Sequence, residues 1–401
     1  MKRFPGVDFL ELDSLLTDEE RLIRDTVRAF VDDRVKPIIE ECHRDARAPL
    51  ELVPEIGALN LFGSWLDEYG LPGLGGVAYG LVMQELERGD SGLRSLVSVQ
   101  SSLVMYPIWA FGTQEQKDRW LPALASGQAL GCFGLTEPDF GSNPAAMRTT
   151  ARRDGDHWIL DGDKSFAANA SRADWIVVWA TADTSLGRAG HRAFVVERDT
   201  PGLGDFKIEK KMGLKAYEST SFTLRHCRVP ASNLLGGDDK YIDQEGLRGA
   251  KRAGFKGALQ SFNATRPMIG AMAVGIGRAA LDEAAAFARE HDLGGDPRVR
   301  DRLERTRRKL RVARLLCWRA AWLADQQQPN MVEASMAKAH APAAALDAAV
   351  LGMELLGEVG ARGDHLIEKL FRDVKAMDIV EGTGQIQRIV IARQLVGLPR
   401  E

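Results

Sequence analysis

GCFGLTEPDFGSNP, residues 131–144, is the stretch on which the reading of the fold turns. Pro and Gly turns fill it, and the chain changes character across it. Upstream, LTDEERLIRDTVRAFVDDRVKPII (16–39) spaces its apolar positions three and four apart, which predicts a helix ending near Pro37. VAYGLVMQELERGD (77–90) and TQEQKDRWLPALASG (113–127) are further helical runs. The glycine-rich EYGLPGLGGVAYG (68–80) has no strand before it, so it reads as a turn between helices and not as a dinucleotide loop.

Downstream, HWILDGDKSFAAN (157–169), DWIVVWATAD (174–183), HRAFVVERD (191–199) and TSFTLRHCRVP (220–230) are short and rich in β-formers. DGDHW (154–158) and LDGDKS (160–165) read as tight turns between antiparallel strands. A polar, glycine-bearing segment, 231–254, reads as a linker or surface loop. Long helices follow at 260–290, 297–328 and 331–357, with alanine and glycine on their apolar sides, and a closing helix starts near Thr383. Blocks of helix, strand and helix argue against an alternating βαβ sheet. The expected fold is α+β and mainly α. Its parts are an N-terminal helical domain (1–130), a central β-barrel domain (131–235) and a C-terminal four-helix bundle (236–401).

The chain has 401 residues, enough for two or three domains with a substantial core. A formal net charge of -3 gives no reason to propose nucleic acid or a membrane surface as partner. The first residues, MKRFPGVDFLELDSLL, show neither an apolar h-region nor an arginine-rich amphipathic helix, so no targeting peptide is read there. Cys42, Cys132, Cys227 and Cys317 are far apart, a pattern of reduced thiols in a cytoplasmic protein. Histidines never fall at HxxxH or HExxH spacing and there is no GxSxG elbow, so no metal site or α/β-hydrolase site is expected.

Near the end, DIVEGTGQIQRIVIAR (378–393) places one acid, Glu381, between Val380 and Gly382. Thr383 suits an N-cap, with Ile386, Ile389 and Val390 as the buried stripe of the helix it starts. Local pattern alone favours a capping acid near a helix dipole. The alternative is a carboxylate kept dry by its apolar neighbour, hence a stronger base, with glycine admitting a ligand. In residues 131–144, Thr136, Glu137 and Ser142 are either ordinary turn residues or donors and acceptors for a polar cofactor or phosphate. Arg94, on an otherwise uncharged helical stretch, either pairs locally or receives a ligand carboxylate.

With FGLTEPDFGSNP (133–144), FNATRPMIGAMAVGIGRAALDEA (262–284), FRDVKA (371–376) and VEGTGQIQRIVIARQL (380–395) in this order, the chain resembles the acyl-CoA dehydrogenase flavoproteins over nearly its whole length. The resemblance implies the three-domain fold already read, an FAD cofactor, a homotetrameric or homodimeric assembly and an electron-transferring flavoprotein as acceptor. It makes Glu381 the catalytic base: the base takes the α-proton of a thioester, whose oxygen is held by the base's own backbone N–H and a flavin hydroxyl. The β-hydrogen then leaves as hydride to flavin N5. By the same resemblance Phe133, Leu135, Thr136, Ser142, Phe166, Ala168, Thr383 and Gln385 are flavin-contact positions. Ser142, Asn263 and Arg266 help hold the CoA chain, and Gly382 touches substrate.

Residues 85–112 and 130–138 are most similar to glutaryl-CoA dehydrogenases. Arg94 then matches the arginine that holds a distal carboxylate, with Ser95, Ser98 and Glu87 beside it, and a dicarboxylyl-CoA such as glutaryl-CoA is the expected substrate. Decarboxylation is left open, since Val380 replaces a tyrosine of that group. Further departures lie on the FAD side. Phe166 and Ala168 replace a tryptophan and a threonine, His291 and Gly294 an arginine and a phenylalanine, and Glu354 a glutamine. They motivate two other readings: a specialised member acting on a carrier-bound or other thioester, including redox-neutral chemistry, and a non-catalytic subunit.

Overall fold

A computed structural model describes residues 12–237, 254–363 and 365–397, and for 188 and 254–266 the backbone alone. The hydroxyl of Thr17 accepts the Glu20 amide at 3.1 Å, and the Glu20 carboxylate accepts the Thr17 amide at 2.8 Å. This reciprocal cap starts α1 (Asp18–Phe30). Pro37 does not end the helical run as expected. A wide π turn, Val31–Val35, leads into α2 (Lys36–Arg44), and the proline stands in the first turn of α2. There its missing N–H costs least.

The first helical block continues through α3 (Val53–Ala58), α4 (Gly76–Gly89), α5 (Ser91–Ser98), α6 (Tyr106–Phe111) and α7 (Gln114–Ser126). The glycine-rich segment before Gly76 does run between helices. Asp325, remote in sequence, caps α4: its carboxylate accepts the Gly76 amide at 2.6 Å.

Seven strands make one curled sheet in the middle of the chain: β1 (Gly131–Gly134), β2 (Thr150–Asp154), β3 (His157–Ala168), β4 (Trp175–Thr181), β5 (His191–Glu197), β6 (Leu203–Ile208) and β7 (Ser219–Pro230). β4 is central: β5 pairs with it antiparallel, β1 lies parallel to it, and the path runs on through β2, β3, β7 and β6. Alternation along β4 serves two cores. Ile176, Val178 and Ala180 pack inside the sheet, while Val177 and Trp179 join the core shared with the helices.

DGDHW forms a hairpin in which Asp154 pairs with His157 and Gly155 has φ 60°. LDGDKS is not a turn. β3 runs through it, with a register shift between Leu160 and Gly162 against β7. A Cβ on Gly162 would stand 2.4 Å from the Thr149 hydroxyl, so this glycine permits a close approach inside a strand.

The last block holds α8 (Gly254–Glu290), α9 (Pro297–Asp325), α10 (Met331–Leu356), α11 (Glu358–Ala361), α12 (Leu366–Met377) and α13 (Gly384–Val396). α10 packs on α8, α9, α12 and α13 at once. By length and composition it could cross a membrane, yet more than half of its apolar window is buried inside the protein. Its alanines let the neighbouring helices close in on it. The class is mainly α, as expected. Residues 238–253, most of the expected linker, lie outside the described residues.

Candidate active site

Between α12 and α13 the chain makes a turn that presents Glu381. Three contacts hold it. The Gly384 amide donates to the Asp378 carbonyl at 2.9 Å, the buried Lys338 ammonium on α10 donates to that carbonyl at 3.0 Å, and the Gln387 amide group donates to the Gly382 carbonyl at 3.1 Å. Thr383 caps α13 as read, its hydroxyl accepting the Ile386 amide at 3.3 Å. Glu381 has φ 54° and Gly382 φ 95°, so two successive residues sit in the left-handed region. For a glutamate that conformation is strained, and strain of this kind concentrates at functional sites.

The expected apolar cover differs. Val380 is 36% exposed and Ile379 63%, so Val380 does not dry the base. Glu381 itself is half-buried. The predicted stripe of α13 is not a buried face either, since Ile389 is exposed and Ile386 and Val390 are only half-buried. Only Gly384 and Gln387 of α13 are buried. An apolar period buries a face only where an element lies over it, and α13 packs chiefly on α10.

α4 and α5 supply the opposite wall. Arg94 is buried, its Nε donating to the Glu87 carboxylate and its NH1 to the Ser98 hydroxyl at 3.1 Å. Its NH2 has the thioether of Met377, the last residue of α12, at 3.9 Å. Burial raises the pKa of Glu87 despite the neighbouring Arg94 guanidinium. Ser95 is buried too, but its hydroxyl donates back to the Ser91 carbonyl at 2.7 Å.

Tyr79 links the two walls. Its hydroxyl, 3.0 Å from that of Ser102, has a pKa pushed up to about 12 by burial. The Ser102 and Ser101 hydroxyls oppose the rise, the Glu381 carboxylate adds to it, and Arg94 counters it. The phenol therefore lies within electrostatic reach of both Glu381 and Arg94.

Beneath this wall is a buried ion network that sequence reasoning missed. Lys369 on α12 donates to Asp373 and forms an ion pair with Asp90, each at 2.7 Å. Asp90 also caps α5 through the Leu93 amide at 2.6 Å, and Asp373 accepts the Leu214 amide at 2.5 Å. One ammonium thus ties α5, α12 and the loop before β7. Burial would lower its pKa, but the Asp373 and Asp90 carboxylates hold it well above the usual lysine range. FRDVKA carried one signal, since Asp373 lies within it.

The loop after β1 is wired internally. The Glu137 carboxylate accepts the Arg148 amide at 2.6 Å and the Thr149 amide at 2.9 Å, and the buried Lys164 ammonium at 2.9 Å. Lys164 also donates to the Leu135 carbonyl at 3.2 Å, and the Ser165 amide donates to the Thr136 carbonyl at 2.9 Å. Leu135 and Thr136 are thereby fixed beside 165–168. There the ladder slips between Lys164 and Ala167, leaving Phe166 71% exposed at φ 54° while Ala167 and Ala168 are buried.

A large exposed aromatic on a strained bulge, with half-buried Phe133 and Thr136 beside small residues, fits a planar aromatic group such as a flavin ring. Ala168 pairs with Ser219, and two residues earlier Tyr217 is near enough to Arg94 for the guanidinium to act on its phenol. The flavin-type surface and the Arg94 wall are therefore neighbours.

Ser142 and Gln385 are exposed. The side chains of Asn263 and Arg266 lie outside the described residues. On the far FAD side, Glu354 pairs with Arg302, and the His291 ring stacks on Phe287 at 3.9 Å.

Three family models match in chain order: the N-terminal domain of acyl-CoA dehydrogenase on 17–128, its middle domain on 132–227 and its C-terminal domain on 252–396. The mitochondrial short-chain specific acyl-CoA dehydrogenase of Bos taurus is 37% identical over 387 residues, which is 95% of this chain and 91% of that protein. A crystal structure of a glutaryl-CoA dehydrogenase from Mycobacterium smegmatis in complex with FADH2 superposes with TM-score 0.89, at 36% identity, over 97% of both chains. Butyryl-CoA dehydrogenase from Megasphaera elsdenii superposes with TM-score 0.87, at 30% identity, over 95% of this chain and 99% of that one.

Proposed function

The chain belongs to the acyl-CoA dehydrogenase family, and we propose that it oxidises a short dicarboxylyl-CoA thioester, glutaryl-CoA or a close homologue, between its α and β carbons. FAD is the cofactor of this family, and when bound it supplies the two-electron acceptor for the β-hydrogen. Phe133, Leu135, Thr136, Phe166, Ala168, Thr383 and Gln385 are the residues assigned to hold it.

Glu381 takes the α-proton. Its own backbone N–H is assigned to the thioester oxygen, and the left-handed turn at Glu381 and Gly382 orients both groups. Lys338 and Gln387 hold that turn from behind.

The observation that carries the substrate class is Arg94. It is buried, fixed by Glu87 and Ser98, and among the described residues its NH2 meets only a thioether, a weak acceptor. A substrate carboxylate is a far better partner for that nitrogen. Similarity to glutaryl-CoA dehydrogenase structures supports this reading.

A monocarboxylic short chain is the second reading. It is favoured by the short-chain specific relatives and by the charge of Arg94 already being balanced by Glu87. Anaerobic bleaching of the flavin by glutaryl-CoA at least tenfold more efficiently than by butyryl-CoA supports the first reading, and equal efficiency removes it. CO2 release in the same assay distinguishes decarboxylation from simple desaturation. An electron-transferring flavoprotein is the proposed acceptor and a homotetramer or homodimer the proposed assembly. Exposed Val312, Ile389, Leu395 and Val396 support an assembly, being apolar side chains for a second copy to cover.

A further inference from the structure

A cavity of about 230 Å³, whose lining includes neither Arg94 nor Glu381, opens where α1 and α4 meet α8 and α9. Four guanidinium groups line it, those of Arg24, Arg28, Arg278 and Arg314, against one lining carboxylate, that of Asp13. Most of this charge is balanced. Arg24 pairs with Asp13 at 2.9 Å and with Asp25 at 2.8 Å. Arg28 and Arg278 share the fully buried Glu85, at 3.0 and 2.7 Å, and Arg88 bonds the same carboxylate at 2.9 Å. Arg88 also reaches Asp32 at 2.9 Å. One carboxylate thus serves three arginines.

Arg314 remains. Its Nε is buried without a hydrogen-bond partner, and among the described residues no carboxylate lies within ion-pair distance of it. Its aromatic neighbour Trp318 lies 5.9 Å away, one helical turn on. Burial, aided by the Arg278 charge, pushes its pKa down to about 10, so the guanidinium stays charged at neutral pH. Arg314 is half-buried, and charges of both signs act on it, Arg278 and Arg28 against Glu85 and Asp13. The two acids are already bonded to other arginines, so Arg314 has no ion-pair partner of its own among the described residues. The cavity exceeds several times the ~30 Å³ share of one water in the liquid. Water alone does not neutralise it.

We propose that this cavity is a binding site for a small oxyanion of the phosphate class, held by Arg314 with Arg278 and Arg28, and distinct from the acyl-CoA site. The forked donors of arginine match a tetrahedral or planar oxyanion, and three of them converge here from three different helices. An anion there bridges α1 to α8 and α9, so it joins the first and last helical blocks.

The test uses full-length, FAD-loaded protein in a buffer free of oxyanions, with ionic strength held constant by sodium chloride. Inorganic phosphate is titrated while the thermal midpoint is followed, and calorimetry gives the stoichiometry. Binding raises the midpoint with the logarithm of phosphate concentration. The expected result is one phosphate per chain, with affinity at least tenfold weaker in Arg314→Met and partly kept in Arg314→Lys. A parallel titration with succinate distinguishes the sources: competition with phosphate assigns the site to small oxyanions generally, and no competition to phosphoryl groups. Replacing an unpaired buried charge by an apolar side chain is often neutral or stabilising, so Arg314→Met is expected to fold. A wild-type midpoint indifferent to phosphate, or an equal response in Arg314→Met, overturns the proposal.

Discussion

The two walls of the candidate site are built on opposite plans. The Arg94 wall is a fully buried charge network, with Arg94 on Glu87 and Ser98 and Lys369 on Asp90 and Asp373 behind it. The Glu381 wall is a half-exposed turn in a strained conformation, held through carbonyl oxygens by Lys338 and Gln387. One wall locates a charge by pairing it, and the other locates a carboxylate by fixing the backbone beneath it. A specificity group benefits from rigidity, whereas a base must meet a proton and then release it.

The largest expected effect tests the strained wall. Glu381→Gln should slow flavin reduction roughly 10²–10⁴-fold with ligand binding intact, measured by anaerobic stopped flow. Turnover at the wild-type rate would remove Glu381 as base.

Next comes the network. Lys369→Met leaves two buried carboxylates without their cation and should cost about 3–5 kcal/mol in denaturant unfolding at neutral pH. The sign with pH follows from the raised pKa of Lys369. Its contribution is fully present below the unfolded value of 10.5 and is lost as pH rises through the higher folded value. The deficit of the variant should therefore shrink only in strong alkali. A deficit that shrinks between pH 7 and 9 would contradict the pairing.

A smaller effect is expected for Arg94→Gln, which removes a charge-assisted donor of about 1.5–3 kcal/mol. The ratio of kcat/KM for glutaryl-CoA over butyryl-CoA should fall roughly 10–100-fold. The smallest is Gln387→Leu, which removes one neutral hydrogen bond behind the turn. It should lower kcat a few-fold, in line with about 1 kcal/mol, and leave KM nearly unchanged. If KM rose in its place, Gln387 would belong to binding and not to the aim of the base.

What could be read from the chain alone followed the same division. Helix blocks, strand blocks and the cap at Thr383 carry local signals of period and residue type, and they stand in the structure where those signals put them. Of Glu87, Arg94 and Ser98, local pattern singled out Arg94 alone, and the resemblance to glutaryl-CoA dehydrogenases added the other two. Lys338, Lys369 and Gln387 gave no such notice. Lys338 reaches a carbonyl 40 residues away, and Lys369 pairs with an acid at the start of α5. No periodicity records such a partner.

The misread segments failed for physical reasons as well. Asp and Gly mark strand bulges as readily as turns, which is why LDGDKS looked like a hairpin. A π turn reconciles a proline with a continuing helical path, which is why Pro37 looked like an end. Ile389 and Val380 looked buried because apolar character says nothing about what covers it.

The cap on α4 bears on how the molecule is made. Gly76 begins the helix that carries Tyr79 and Glu87, and its amide is closed by Asp325, 249 residues later. At about 5–20 residues per second, a ribosome takes roughly 10–50 s to travel that far. Through that interval α4 lacks its cap, and for most of it also the faces of α8 and α9 against which it packs. The pocket wall is encoded early and finished late. A nascent chain halted before Asp325 is therefore the form of this protein with most reason to need a chaperone.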